Sequence, residues 1–262
     1  MATDTCYWKH DTKSEESFPC YDGKSTVCSH CCVETCPKES PQWFAACARA
    51  GHPTWPSVDR RRRVPAKLVV LESYWDNRLF QTMSVKGFFE SMGPLHDPPL
   101  QLAHRFVESQ RGLAYYTALP EGLLWRDASA VDAPICYLAF HGAPSEVKSV
   151  LESIGEESLC DAFKGFGRKN NLIYFAACSV LKGRNGQHFA KKFLESSRCR
   201  ALIGYTTDVN WMLSLLTDML FLHRFYRDDN PWRNLRKIYQ SVLDDFKPAT
   251  EIGWTLIESK RH

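Results

Sequence analysis

The sequence predicts an α/β fold, in which a mainly parallel sheet carries helices on both faces and is preceded by a small cysteine-rich N-terminal segment. Short β-branched and aromatic runs alternate with amphipathic segments from residue 67 onward, and parallel strands need such crossovers. Seven of the 11 cysteines lie within the first 47 residues. Four consecutive arginines separate the two parts, so we divide the chain into a head (1–57), a basic linker (58–66) and an α/β domain (67–262).

The composition is that of an ordinary globular protein, with 44% apolar and 24% charged residues. A net charge of +3 is too small to indicate a nucleic-acid-binding protein. Every apolar run is shorter than the roughly 20 residues that cross a bilayer, so we expect no membrane span. The N-terminus, MATDTCYWKHD, lacks the apolar core of a secretory signal, which favours a cytoplasmic location.

Strands are predicted where short apolar runs are rich in β-branched and aromatic residues. In chain order these runs are KLVVLES (67–73), AYYTALP (114–120), PICYLAF (134–140), NLIYFAA (171–177), RALIGYT (200–206) and GWTLIES (253–259).

Helices are predicted where apolar residues recur at helical spacing, in several cases beside a proline or glycine that begins or ends the pattern. In chain order these segments are VKGFFESMG (85–93), PPLQLAHRFVESQRG (98–112), PSEVKSVLESIG (144–155), SLCDAFKGFG (158–167), NGQHFAKKFLESS (185–197), WMLSLLTDMLFLHRFYR (211–227) and NPWRNLRKIYQSVLDDF (230–246).

Two of the predicted strands end on residues that could form a nucleophile–base pair. YLAFHG ends on His141 and Gly142, and IYFAACSV brings Cys178 to the end of the next long strand. Functional groups collect at the carboxyl ends of parallel strands, so both side chains are expected at one rim. A cysteine attacks as thiolate, and a nearby imidazole can take its proton. The N–H groups of Gly142 and Cys178 are candidate donors to an oxyanion.

The other chemically able residues favour structural interpretations. Cys199 and His188 lie in or beside a predicted helix, and His223 lies on an apolar helical face. Taken singly, His141 and Cys178 could also be structural, and it is their joint placement that favours catalysis. The glycines of GRNGQ fit neither the phosphate-loop nor the dinucleotide spacing, which argues against a nucleotide enzyme.

The strings LAFHG and YFAACS resemble the caspase-like cysteine peptidases, a group that includes caspases, metacaspases, separases and bacterial CHAT proteases. The resemblance implies a caspase-like α/β/α sandwich and a protein substrate. It also implies His141 as general base, Cys178 as nucleophile and the N–H groups of Gly142 and Cys178 as oxyanion hole, with no cofactor for catalysis.

The chain departs from the caspases in the residues around the cysteine. Ala176-Ala177-Cys178-Ser179-Val180 stands where eukaryotic caspases have Gln-Ala-Cys-Arg-Gly, so their Asp-specific pocket is not implied. The layout is nearer to the bacterial caspase-like and CHAT branches, several of which resemble effectors of antiviral defence. The alternative function is a catalytically inactive caspase-like scaffold that binds a protein or nucleic-acid partner through its head.

Asp208, Tyr205 and Trp211 are candidate substrate-binding residues. They follow the strand RALIGYT, where caspase-like peptidases usually form the S1 pocket, the recess for the residue before the cut. An acidic group between two aromatic rings would suit a basic side chain. Asp208 also directly precedes a predicted helix, and the preference of helix N-caps for aspartate favours the capping interpretation.

The head contains CSHCCVETC, which brings four thiols, Cys28, Cys31, Cys32 and Cys36, into one short segment. Zinc takes four sulfur or nitrogen ligands, and a small segment with few aliphatic residues needs such a staple. Structural zinc is therefore the favoured interpretation, with free thiols and disulfides left open. Cys6, His10, Cys20, Cys47 and His52 are further donors.

The basic linker contains an arginine run that has two interpretations. The run consists of Arg60, Arg61, Arg62 and Arg63. The favoured interpretation is a solvated linker. The alternative is a processing site between two domains, where proteolytic nicking is easiest. The protein itself could cut there if it accepts basic residues, or an upstream activating protein could do so.

Overall fold

The computed structural model describes residues 64–75, 83–127, 130, 132–169 and 171–259, together with the backbone of two short strands nearer the N-terminus. Its contacts divide the chain into two compact units, Met1–Arg62 and Arg63–His262. The six-stranded sheet and its helices belong to the second unit.

The strands, in chain order, are β1 Ser17–Pro19, β2 Thr26–Cys28, β3 Lys67–Glu72, β4 Gln101–Phe106, β5 Ile135–Ala139, β6 His141–Ala143, β7 Glu146–Lys148, β8 Ser153–Gly155, β9 Leu172–Ala176, β10 Ala201–Tyr205 and β11 Trp254–Glu258. The α-helices are α1 Lys86–Met92, α2 Gln110–Thr117, α3 Leu123–Arg126, α4 Glu156–Ala162, α5 Gly183–Ser197, α6 Trp211–Arg227, α7 Pro231–Asp245 and α8 Pro248–Glu251.

Six strands form the central sheet in the order β4-β3-β5-β9-β10-β11. The first five are parallel, and β11 runs antiparallel to β10. The predicted α/β class with a mostly parallel sheet is therefore confirmed. The chain goes from β3 outward to β4 and then returns to β5 on the other side of β3. Open parallel sheets bind ligands at the carboxyl ends of their strands beside such a reversal.

Successive residues of a strand point to opposite faces of the sheet. Both faces are buried because helical side chains pack on each of them. Leu71 and Phe175 pack with Phe189 of α5 in one apolar cluster, and Leu68 and Tyr174 pack with helical residues such as Phe221 of α6 in the other. Burying one such side chain contributes about 1.5–3 kcal/mol. Two apolar clusters thus pack on opposite faces of the sheet and position the strand ends.

The single helix predicted for 98–112 is wrong. Gln101–Phe106 is the edge strand β4, and α2 begins at Gln110. The Ser109 side chain accepts a hydrogen bond from Gly112 N at 3.1 Å, so Ser109 is the N-cap of α2. Gly112, predicted as the end of a helix, therefore lies in the first turn of one. AYYTALP, predicted as a strand, consequently lies largely within α2. An edge strand keeps polar side chains in partly exposed positions, which hides the alternation expected of a strand.

The helix predicted for 144–155 is also wrong, because β7 and β8 pair with β6 in a small antiparallel sheet. A turn at Pro144 and Ser145, with Ser145 at φ 65°, folds β7 back onto β6. Val147 and Ile154 are cross-strand partners and both are fully buried. The apolar pattern therefore reflects strand pairing rather than one helical face.

Candidate active site

The three central strands stay paired up to the rim, the edge of the sheet formed by their carboxyl ends. Beyond the regular ladders, Ser73 N donates to Ala139 O at 2.9 Å and Phe140 N donates to Ala176 O at 3.4 Å. The residues two or three positions beyond each strand therefore emerge at one rim. They are Trp75 after β3, His141 after β5 and Cys178 after β9.

His141 is exposed, and its ring is held by Trp75. The ring Nε2 lies 2.9 Å from the backbone carbonyl oxygen of Trp75, and a carbonyl only accepts hydrogen bonds. Nε2 therefore carries the proton and donates, which leaves Nδ1 as the basic nitrogen of the neutral ring. The indole of Trp75 packs edge-on against the imidazole, with centroids 5.3 Å apart and an interplanar angle of 80°.

Gly142 brings the histidine segment against the cysteine segment. A Cβ placed on Gly142 would lie 2.3 Å from the carbonyl oxygen of Cys178 and 2.9 Å from Cβ of Ala177, so a side chain cannot be accommodated here. Gly142 pairs with Val147 next to the turn-closing pair of Ala143 and Glu146. Hydrogen-bonded and non-bonded pairs alternate in antiparallel ladders, so the Gly142 N–H points away from β7.

Cys178 is half-buried at the start of a strained turn. Its sulfur accepts a hydrogen bond from Val209 N at 3.4 Å. The next residue, Ser179, has φ 57°, a left-handed conformation that costs a non-glycine residue about 1–3 kcal/mol. Ser179 N donates to Thr207 O at 2.8 Å, and its hydroxyl donates to Asp208 Oδ1 at 2.6 Å. Such over-determined strain is typical of functional sites.

The remaining described cysteines differ from Cys178 because they are buried. Burial raises the pKa of Cys160 to about 11 and that of Cys199 to about 12. Burial, with a smaller contribution from Cys199, also raises the pKa of Cys136. Among the cysteines of the described ranges, Cys178 is therefore the one whose side chain is not buried.

Asp208 is exposed and does not cap the helix that follows it. The side chain of Asn210 accepts hydrogen bonds from Met212 N at 3.0 Å and Leu213 N at 3.2 Å, so Asn210 is the N-cap of α6. The capping interpretation of Asp208 is wrong. The two residues are equally suited to capping, and the sequence does not show which of them begins the helix. Asp208 instead holds the turn after Cys178 through Ser179.

Tyr205 does not line a recess at the rim, contrary to the prediction. It is fully buried, and its hydroxyl donates to the carboxylate of Asp218 inside the core. Trp211 is half-buried and packs edge-on against Phe88, with ring centroids 5.4 Å apart. Of the three predicted substrate-binding residues, Asp208 alone is an exposed side chain whose hydrogen bond joins it to the Cys178 turn.

Glu72 and Trp75 were missed by the sequence reasoning. Glu72 is the last residue of β3 and has no exposed surface, although it is a carboxylate. A charged residue at the end of the buried run KLVVLE was the available signal, because glutamate is almost never fully buried without partners.

Three other residues, for which the sequence favours structural interpretations, differ in their burial. His188 lies exposed on α5, and Cys199 is fully buried in the core. His223 is half-buried and packs against the ring of His96, with centroids 5.1 Å apart.

The predicted zinc ligands lie outside the described residues. Cys31, Cys32 and Cys36 are not described, and for Cys28 the description covers the backbone of β2 alone. Within the described ranges, no group of three or more His, Cys, Asp or Glu side chains could hold a metal ion. The zinc interpretation of the head therefore stays a prediction.

The predicted processing site also lies outside the described residues. It comprises Arg60, Arg61, Arg62 and Arg63, and the description of the α/β domain begins one residue later, at Val64. Neither the linker interpretation nor the processing interpretation is tested by the structure, so both stay predictions.

No helix in the described part of the chain combines the length and apolarity needed to cross a membrane.

A scan of the chain against protein-family models finds no match. A search of curated proteins finds no match either. The functional interpretation therefore depends on the geometry of the rim and on the resemblance carried by its two short strings.

Proposed function

We propose that the chain is a caspase-like cysteine peptidase, with Cys178 as nucleophile and His141 as general base. The observation that carries the proposal is the contact between the Gly142 and Cys178 backbones, since it joins the two segments that a dyad requires. The Nε2–H bond from His141 to Trp75 O supports it, because the opposite ring nitrogen is then the one able to take a proton. The strained turn at Ser179 supports it as well.

In this mechanism the Cys178 thiolate attacks the carbonyl carbon of a peptide bond, forming a sulfur–carbon bond. The carbonyl oxygen takes the displaced electron pair and is stabilised by the N–H groups of Gly142 and Cys178. As the carbon–nitrogen bond breaks, His141 gives the proton that it took from the thiol to the departing amine. Water, deprotonated by His141, then releases the acyl group as a carboxylic acid and restores the thiol.

The test is cleavage of a peptide library by wild type, Cys178→Ala and His141→Ala. Both variants should lose turnover while keeping the wild-type unfolding midpoint, because both residues lie at an accessible rim. Cys160→Ala is the matched control, since it removes a buried thiol, and it should retain activity. Undiminished cleavage by Cys178→Ala would overturn the proposal. No cleavage by wild type, with no alkylation of Cys178 by a peptide-directed thiol reagent, would favour the scaffold alternative.

The exposed carboxyl group of Asp208 supports a preference for Arg or Lys before the cut. Because Asp208 also holds Ser179, two variants are needed to separate recognition from support. Asp208→Asn removes the charge, whereas Ser179→Ala removes the hydrogen bond between Ser179 and Asp208 and keeps the charge. If only Asp208→Asn loses cleavage of basic substrates, Asp208 recognises the basic side chain. Equal loss in both variants, or a wild-type preference for acidic or apolar residues, removes the acidic pocket and leaves the dyad proposal intact.

A further inference from the structure

Glu72 is a buried carboxylate one step behind the rim. It is completely inaccessible, and it accepts hydrogen bonds from Trp75 Nε1 at 2.7 Å, Ser84 Oγ at 2.6 Å and Val85 N at 3.0 Å. Nε2 of His104 lies 2.6 Å from its second oxygen. Packing alone does not account for this arrangement, because an apolar residue at a buried position usually stabilises a fold at least as well as an ion.

Trp75 joins this cluster to the candidate base. Its indole N–H bonds Glu72, its backbone carbonyl accepts the hydrogen bond from His141, and its ring edge packs on the imidazole. One residue thus supplies both the acceptor for Nε2–H and a wall of the ring. A shift of the Trp75 segment, which the indole N–H ties to Glu72, would disturb both contacts together.

We propose that Glu72 is a positioning residue for His141, acting through Trp75. The inference rests on the proposed function for its catalytic meaning. The carboxylate holds the indole, the indole fixes the Trp75 segment, and that segment fixes the ring orientation and tautomer of His141. The result is an imidazole whose Nδ1 is the basic nitrogen before substrate arrives.

The protonation state of Glu72 agrees with this role. Burial acts to raise the pKa of Glu72, but the hydrogen bonds from His104, Ser84, Val85 N and Trp75 outweigh it, and the pKa lies below its ordinary value. Glu72 is therefore an anion at neutral pH, and an anion can only accept the indole N–H.

Glu72 also ties β4 and the start of α1 to β3 through His104, Ser84 and Val85, so its removal would disturb more than the rim. The decisive variant is Trp75→Phe, which keeps an aromatic ring and the backbone carbonyl but removes the indole donor. Ser84→Ala is the first control, because it takes a different donor from Glu72. Trp125→Phe is the second, because it removes an indole N–H that bonds Thr117 O at 2.9 Å outside the cluster.

The first measurement is the tautomer of His141 by nitrogen-15 NMR. Wild type should carry the proton on Nε2, and Trp75→Phe should shift the neutral ring toward a mixture of tautomers. Both controls should match wild type. This NMR measurement does not require catalytic turnover, so it tests the positioning role even if the peptidase proposal fails. An unchanged tautomer in Trp75→Phe would overturn the inference.

The second measurement is the split between kcat and KM on a substrate that wild type cleaves. Trp75→Phe should lower kcat about tenfold with KM nearly unchanged, since a misplaced base slows the chemical step without weakening binding. A purely structural role predicts equal losses in Trp75→Phe and Trp125→Phe, and that result would refute the inference. If Trp75→Phe does not fold, Glu72→Gln, which keeps the shape of the side chain, should move the tautomer in the same direction.

Discussion

Glu72 and Asp218 are two buried carboxylates held in different ways. Glu72 has 0% exposed surface and Asp218 has 1%. Hydrogen bonds outweigh burial at Glu72 and lower its pKa, whereas burial outweighs the hydrogen bonds from Tyr137, Tyr174 and Tyr205 and raises the pKa of Asp218 to about 6.

The difference follows from the donors. The hydrogen bonds from His104 and Ser84 lower the pKa of Glu72 most, and those from Val85 and Trp75 add to them. A backbone or indole N–H can only donate, so the last two select the ionised form of Glu72. Tyrosine hydroxyls can donate or accept, so the three around Asp218 can serve a protonated acid too. The cluster around Glu72 therefore stabilises the ionised carboxylate, whereas the cluster around Asp218 can hydrogen-bond either protonation state.

The largest effect is expected from Asp218→Ala. Tyr137 and Tyr174 would lose their acceptor, and Tyr205 would keep only the carbonyl oxygen of Ser214 at 3.2 Å. Each unsatisfied buried group costs about 1–3 kcal/mol, so we expect a loss of about 4 kcal/mol. Urea unfolding measures it. Asp218→Asn, which keeps one acceptor oxygen, should cost much less. A loss in the alanine variant no greater than that of the asparagine variant would show that the tyrosines do not depend on the carboxylate.

The next effect is on the pH dependence of stability. A folded pKa of about 6 lies above the ordinary value of 3.8, so the native state binds the extra proton. The contribution of Asp218 is fully present below about pH 4 and is lost as pH rises through about 6, on the order of 3 kcal/mol in total. Asp218→Asn should flatten this slope in unfolding curves collected from pH 4 to 7. An identical slope in both proteins would contradict the assignment.

Glu72 should show the opposite sign. Because its pKa is lowered, its contribution is present above the ordinary value of 4.5 and is lost as pH falls through the lower folded value. Glu72→Gln should therefore remove part of the acid-induced destabilisation below pH 4.5. The check is the same urea titration extended to pH 2.5, with Asp218→Asn as the control that keeps the acid limb.

The smallest effect compares single hydroxyls. Ser84→Ala removes one donor from Glu72, and Tyr137→Phe removes one donor from Asp218. Each should cost about 1 kcal/mol, the usual net value of one hydrogen bond. Ser84→Ala should also raise the pKa of Glu72, whereas Tyr137→Phe should raise that of Asp218. A shift of the wrong carboxylate would show that the two clusters are coupled.

Four of the strands that the sequence predicted are almost completely buried. Strands β3, β5, β9 and β10 are covered on both faces and appear as continuous apolar runs. Strand β4 lies at the edge of the sheet, where partly exposed positions hide the alternation. Strands β7 and β8 have three residues each, which is too short to show a period of two.

The site divides in the same way. His141 and Cys178 are recognisable from the sequence because each directly follows a buried strand, and parallel strands end on one edge. The direction of Tyr205 depends on the register of β10, which one apolar run does not fix. The link from Glu72 to His141 passes through a carbonyl, an indole and residues 84, 85 and 104, contacts that only the folded chain brings together.

The turn that holds Cys178 is completed by residues synthesised much later. Val209, whose N–H bonds the sulfur, lies 31 residues further along the chain. At about 5–20 residues per second, a ribosome reaches it seconds after it adds the cysteine. A nascent chain therefore presents an unsupported thiol first and acquires the assembled rim only when β10 and the segment after it have emerged. Under the proposed function, this order of synthesis delays peptidase activity until the sheet has formed.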